Sequence, residues 1–240
     1  ARADQLVSLG NIMEYRGQMP RAESMFVQAL TIRRRLYGDR HPLVAESLHE
    51  LGSLYDDWKR PLQADSALAA SVAIYRDLYP NGDPQLASAL RARAIFLEHS
   101  QRFHDAEPLA REAMAMRRRY FGLSSIEAAS AEEEVAYTMI MQGSYDEAAT
   151  LSRDAVRVFR SIVGANNAMV FLAQTYLGDA LRGQGHFAEA EPLLLGAYQR
   201  FGERPNPVTA AWRAYARSAL MRLYAAEGRT DEAARYREAR

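Results

Sequence analysis

Apolar and polar positions follow a helical period through almost the whole chain, and the helical stretches themselves recur. In the stretch Gly38 to Ala64, GDRHPLVAESLHELGSLYDDWKRPLQA, the apolar comb Leu48, Leu51, Leu54 and Tyr55 has the spacing of one helix face. A polar turn follows, and Ala64 opens a second helical run through Leu68, Val72, Ile74 and Leu78. Ala64 has counterparts at Ala22, Ala106, Ala148, Ala190 and Ala233, with successive separations of 42 residues and a last one of 43. Self-similarity at a fixed interval predicts stacked helix pairs that bury their apolar faces against one another rather than around a single centre.

Each unit opens with a helix A carrying Leu-Gly or a small substitute: Leu9-Gly10, Leu51-Gly52, Ala94, Ala136 and Leu177-Gly178. A turn follows, marked by Gly17, Gly143, Gly185 or Gly228, and helix B then begins near the periodic alanine. Where A crosses B, a side chain larger than alanine would hold the backbones apart, at a cost of about 1–3 kcal/mol. The joints carry start and stop signals. Asp83 before Pro84 and Asn206 before Pro207 predict N-caps with proline in the first turn. Ser124 with Glu127 and Ser144 with Glu147 have capping-box spacing, and Gly38, Gly122, Gly164 and Gly202 fall where helix B should end. Arg33 to Arg35 and Arg117 to Arg119 sit near the C-termini of B helices, which predicts dipole compensation on a solvated face.

The alanine-and-glycine pattern resembles the tetratricopeptide repeat over the whole chain. The period exceeds that family's usual ~34 residues, and the excess as helix adds ~12 Å to each unit. Spacing of 42 is similar to the kinesin-light-chain type, and so are Gly38, His41, Pro42, Val44, Ala45, Ser47 and Leu48, with the Ala-Glu-Pro-Leu runs at Ala106 to Leu109 and Ala190 to Leu193. Many bacterial proteins share these features. The resemblance implies an all-α fold, a right-handed superhelical solenoid of about six antiparallel helix pairs. Its repeats fall at about 3–38, 43–80, 85–122, 127–164, 169–204 and 208–240, in one domain that is part of a longer protein.

Composition narrows the function. Thirty basic residues balance thirty acidic ones, so no positive field attracts phosphates and no nucleic acid is expected as partner. With no cysteine, disulfides, thiolate metal sites and thiol nucleophiles are all excluded. No apolar run approaches the ~20 residues that span a bilayer, and the start does not resemble a signal peptide; no membrane insertion is expected, and a cytoplasmic location is. Three patterns imitate chemistry. Gly183, Gly185 and Ala188 imitate a dinucleotide fingerprint but follow no strand. His99 and His104 lack a third ligand at metal spacing, and Glu132, Glu133 and Glu134, being consecutive, do not share a helix face. The chain is therefore expected to be no enzyme, with no cofactor and no metal. Glu132 and Arg93 stand where the register calls for leucine; either they offset each other at the junction of repeats three and four, or their helices rotate to expose them.

In the tetratricopeptide geometry the A helices line the concave surface, which implies a partner-binding groove formed by Asn11, Glu14, Tyr15, His49, Ser53, Asp56, Asp57, Arg91, Ile95, Glu98, Glu133, Tyr137, Asp179, Arg182 and Arg222. Its N-terminal half is acidic and its C-terminal half more basic, with Tyr15, Ile95 and Tyr137 as apolar contacts. The expected function is a non-catalytic interaction scaffold for a protein or peptide, a module of a larger bacterial regulatory protein, with the terminal repeats open to self-association. The alternative is a domain that senses a ligand or signalling peptide.

Overall fold

The computed structural model describes residues 2–203 and 206–237, so the expected repeat limits at 204 and 240 lie outside the described residues. Within them every regular element is a helix. In chain order, A before B, these are α1 (Arg2–Tyr15) and α2 (Met19–Tyr37), α3 (Pro42–Asp57) and α4 (Pro61–Leu78), α5 (Pro84–His99) and α6 (Phe103–Phe121), α7 (Ile126–Gln142) and α8 (Tyr145–Val163), α9 (Ala168–Gly183) and α10 (Phe187–Glu203), and α11 (Pro207–Ala226) and α12 (Thr230–Arg235). They form two compact units, Ala1–Tyr120 and Phe121–Arg240.

The periodic alanines sit where the register predicts. Ala22, Ala64, Ala106, Ala148 and Ala190 have no solvent exposure. Glycine on helix A admits a large residue from helix B. A Cβ on Gly10 would stand 2.4 Å from the Phe26 ring, one on Gly52 2.5 Å from Leu68 Cγ, and one on Gly178 2.8 Å from Leu194 Cγ. In the third and fourth pairs, alanine replaces that glycine (Ala94, Ala136), and the B-helix position falls to Ala110 and Ser152. The two helices exchange volume across the crossing, which keeps interior density constant while the sequence varies.

Every helix A ends in the same way. Gly17, Lys59, Gln101, Gly143, Gly185 and Gly228 all have φ between 57° and 82°. The amide of the following residue donates to the carbonyl five positions back, as Gln18 does to Met13, Arg60 to Tyr55 and His186 to Leu181. This is a Schellman closure, which satisfies carbonyls the helix end would otherwise orphan. The dinucleotide-like glycines are explained by it: Gly185 is the left-handed turn residue, and Gly183 lies against the Tyr145 ring, 2.3 Å from where its Cβ would be.

In the first unit Phe26 and Leu30 of α2 pack with Val44, Leu51 and Leu54 of α3, while Val72 and Tyr75 of α4 pack with Leu86 and Leu90 of α5. In the second, Val158 and Phe159 of α8 pack with Val170 and Ala173 of α9. A helices also touch one another, α3 with α5 in one unit, α7 with α9 and α9 with α11 in the other. Each unit thus presents a layer of A helices.

Some boundary expectations change. Asp83 and Asn206 are N-caps, accepting from the amides of Gln85 and Thr209. Ser125, not Ser124, caps α7 by accepting from the Ala128 amide at 3.1 Å, and Ser144 precedes α8 without a side-chain cap. Gly202 lies inside α10, which runs on to Glu203. Arg33 is not on a solvated face. It is 3% exposed and donates to Asp4 at 2.9 Å, to Ser47 Oγ at 2.9 Å and to the Leu43 carbonyl at 3.0 Å, so it ties the ends of α1, α2 and α3 together.

Candidate binding surface on the A helices

In the first unit, the helical step places His49, Ser53 and Asp56 one above another on α3, and Arg91, Ile95 and His99 do the same on α5. With Asp57 they line one open cleft of about 360 Å3, with Leu68 at its base. A second cleft of about 390 Å3 lies toward the N-terminal ends of α3 and α5, lined by Pro42, Glu46, Glu50, Tyr75 and Gln85. Both clefts include His49 and Ser88, so they join into a trough running along the two helices.

The acidic wall of this trough is α3. His99 Nδ1 lies 2.7 Å from Asp56 Oδ2 and fixes that carboxylate across the cleft. Burial, reinforced by the Arg91 guanidinium, pushes the His49 imidazole below its ordinary range, so it is neutral at pH 7. Burial first, and then the charges of Asp57 and Glu50, push the Glu14 carboxyl up to about 7. Glu50 is raised by burial and by Glu46, against the pull of Arg33. These carboxylates therefore resist one another's ionisation. Asn11 is exposed and Tyr15 almost wholly so, at 94%. Glu98, expected on the open surface, is buried at 9%; it follows the crossing residue Ala94 by one helical turn and shares its face.

In the second unit the A-helix residues are used differently. Tyr137 of α7, Tyr176 of α9 and Tyr215 of α11 form a three-ring cluster with centroids 5.7, 5.4 and 5.7 Å apart. Beneath it Asp179, with no exposure, accepts from Arg182 Nε at 2.6 Å, from Arg222 Nη2 at 2.6 Å and from the Tyr215 hydroxyl at 2.7 Å. Burial and then the Asp179 charge hold the Tyr215 hydroxyl well above its ordinary range, so it remains a donor. Asp179 thus does not face a partner: its carboxylate is taken up inside the unit and cancels one of the two arginine charges. Glu133 is likewise buried, at 6%, and burial with the neighbouring Glu134 charge pushes its carboxyl well up. Tyr137 and Arg222 keep partial exposure.

Sequence reasoning missed Tyr176 and Tyr215. They follow Tyr137 at intervals of 39 residues, one helical turn short of the 42-residue register, so superposing repeats hides them. Arg93 meets Asp65 at 3.5 Å within the first unit, and Glu132 is 3% exposed. Among the described residues no group of three or more His, Asp or Glu is placed to hold a metal ion, and no helix is long and apolar enough to cross a membrane.

Helix pairs in 42-residue register, small residues at the crossings and a layer of A helices in each unit define a helical-repeat protein. The tetratricopeptide repeat model matches residues 3–77 and 85–161, more than half of the chain, and the chain belongs to that family. Its fold is shared with the nearly identical TPR-like repeats of a putative kinesin light chain from Podosopora anserina, at 19% identity and TM-score 0.74 over 84% of this chain and 95% of that one. BtubC (BKLC) from P. vanneervenii matches at 21% identity and TM-score 0.74, over 85% and 83% of the two chains. A Rap protein complexed with Competence and Sporulation Factor matches at 15% identity and TM-score 0.64, over 96% of this chain and 61% of that one. No curated protein matches the sequence significantly.

Proposed function

We propose that this chain is a non-catalytic interaction module, working in the cytoplasm within a larger regulatory protein, that holds an extended segment of a protein or peptide in the trough between α3 and α5. The observation that carries this reading is the convergence of His49, Ser53, Asp56, Asp57, Arg91, Ile95 and His99 from two successive A helices on one open cleft. From Glu46 to Asp57 the trough follows α3 for ~16 Å, which matches about five residues of extended chain. Asp57, exposed at the end of α3, favours a cationic side chain there, Arg91 and Arg117 favour an acidic one on the opposite wall, and Ile95 offers an apolar contact between them. Tyr137 and Arg222 are secondary contacts on the second unit.

A second reading, a domain that senses a signalling molecule, is favoured by the similarity in fold to a Rap protein complexed with Competence and Sporulation Factor. Both readings place recognition on A helices. The test is selection of short peptides from a random library, followed by fluorescence anisotropy. Selected peptides should carry basic residues beside one large apolar residue, and Ile95→Asp should weaken them about tenfold or more with little change in melting. Peptides that ignore Ile95→Asp and Asp57→Arg but respond to changes at exposed B-helix residues such as Val27 or Leu62 would end this reading.

A further inference from the structure

The cleft at the N-terminal ends of α3 and α5, about 390 Å3, has one acidic wall and one uncharged wall. Glu46 and Glu50 stand one helical turn apart on α3, while α5 contributes Pro84, Gln85 and Ser88, and its first charged residue, Arg91, comes about a turn beyond Ser88. Arg33 reaches the acidic wall from α2, but it is 3% exposed, and its one guanidinium is shared between Asp4 at 2.9 Å and Glu46 at 3.4 Å. Negative charge is therefore in excess, and neighbouring groups respond to it. Burial and then Glu46 push the Glu50 carboxyl up, against the pull of Arg33. Burial, followed by Glu46, Tyr79 and Asp83, pushes the hydroxyl of Tyr75, which also lines the cleft, up to about 12 against the same arginine.

We propose that this cleft is a subsite for one arginine side chain of the segment held in the trough, placed four residues from the large apolar side chain that meets Ile95. The proposal rests on the reading of the trough as a binding surface and names what enters its N-terminal end. Two carboxylates one turn apart suit a guanidinium, whose planar fork of donors can engage both. The aliphatic stem of the arginine has Pro42, Leu43 and Pro84 to lie against while its head reaches the glutamates. The spacing follows from the helix rise. From the level of Gln85 and Ser88 to Ile95, α5 advances about 13 Å, which an extended chain covers in about four residues. An even separation puts both side chains on the same side of that chain, facing the trough together.

The probes are two end-capped peptides, Arg-Ala-Ala-Ala-Leu and its reverse, which cover both chain directions, titrated into the full chain and followed by amide NMR. At least one should bind and shift the Leu43 and Ser88 signals. Citrulline in place of the arginine keeps the shape and removes the charge, and it should weaken binding about tenfold or more. Glu46→Gln with Glu50→Gln should do the same while melting near the parent, because Arg33 keeps its contacts to Asp4, Leu43 and Ser47. Ile95→Asp should weaken the same peptide, and a spacer of two alanines should bind several-fold less well. Binding that Ile95→Asp weakens but that neither citrulline nor the glutamine pair alters would overturn the arginine subsite and leave the trough reading standing. Equal binding with the shorter spacer would overturn the placement of the arginine in this cleft. If neither peptide binds, or if binding ignores Ile95→Asp along with the other changes, the trough reading and the subsite fall together.

Discussion

Glu14 holds a carboxylate that its surroundings disfavour as an anion. Its pKa in the folded chain, about 7, stands above the value of 4.5 it has when exposed, because burial removes water and Asp57 and Glu50 add like charge. A raised carboxyl contributes stability that is fully present below its unfolded pKa and lost as pH rises through the folded one. Glu14→Gln should therefore leave urea stability unchanged near pH 4 and raise it near pH 8, by about 0.5–1 kcal/mol after solvent screening of a half-exposed group. An equal effect at both pH values would show that Glu14 acts through its shape and not its charge. Asp179 is the opposite case. Its charge is buried but matched by Arg182, Arg222 and Tyr215, so Asp179→Ala should cost about 3 kcal/mol, toward the lower end for a buried pair because Arg222 reaches solvent. A loss below a surface-type change would mean that the two arginines re-solvate freely.

The helix pair is the unit in which volume is conserved. Gly52→Ala drives a Cβ to within 2.5 Å of Leu68 Cγ, and the register of the third pair, Ala94 with Ala110, shows the alternative combination. Gly52→Ala alone should cost about 1–3 kcal/mol and Leu68→Ala about 2–5, while the double variant should lose clearly less than their sum. Additive losses in urea melts would mean that the crossing does not exchange volume. At the element ends, Ser125→Ala should cost about 1 kcal/mol and Ser124→Ala nearly nothing, since only Ser125 accepts from the Ala128 amide. What was legible in the sequence at this scale is what the backbone period controls: the six alanines, the glycine turns, and caps announced by proline at Asp83 and Asn206. A one-residue choice between two serines depends on which oxygen reaches a particular amide, and spacing alone does not separate them. Likewise Lys59 and Gln101 adopt the left-handed turn without glycine, at φ 57° and 58°, because the hydrogen bonds closing the turn outweigh the side-chain strain. Arg33 was misplaced because its acceptors come from separate parts of the chain, Asp4 on one side and Leu43 and Ser47 on the other, and local pattern does not place such partners together.

Zero net charge for the chain conceals how the charge is spent in each unit. In the second unit Arg182 and Arg222, which make the A-helix residues look basic, share Asp179, so one of their two charges is cancelled. In the first, Asp56 is engaged by His99, while Asp57 is exposed and Glu14 and Glu50 are held in mutual repulsion. Which residues lie on the A helices was legible because helix A repeats every 42 residues; their burial and free charge were not, since Glu98, Glu133 and Asp179 are buried and the compensating contact of each residue belongs to tertiary structure. It follows that a cationic partner of the trough should be drawn chiefly by the first unit. Exposed carboxylates give little affinity singly but steer encounter over about a Debye length, ~8 Å in physiological salt. Asp57→Arg should therefore slow association of a basic peptide several-fold in low salt and leave its dissociation rate nearly unchanged, with the difference fading as salt is raised. Ile95→Ala should do the reverse, speeding dissociation with little dependence on salt. Stopped-flow measurements across a salt series separate the two. If Asp57→Arg instead alters only dissociation, the carboxylate makes a desolvated contact with the partner, and long-range steering by the first unit is not how this surface works.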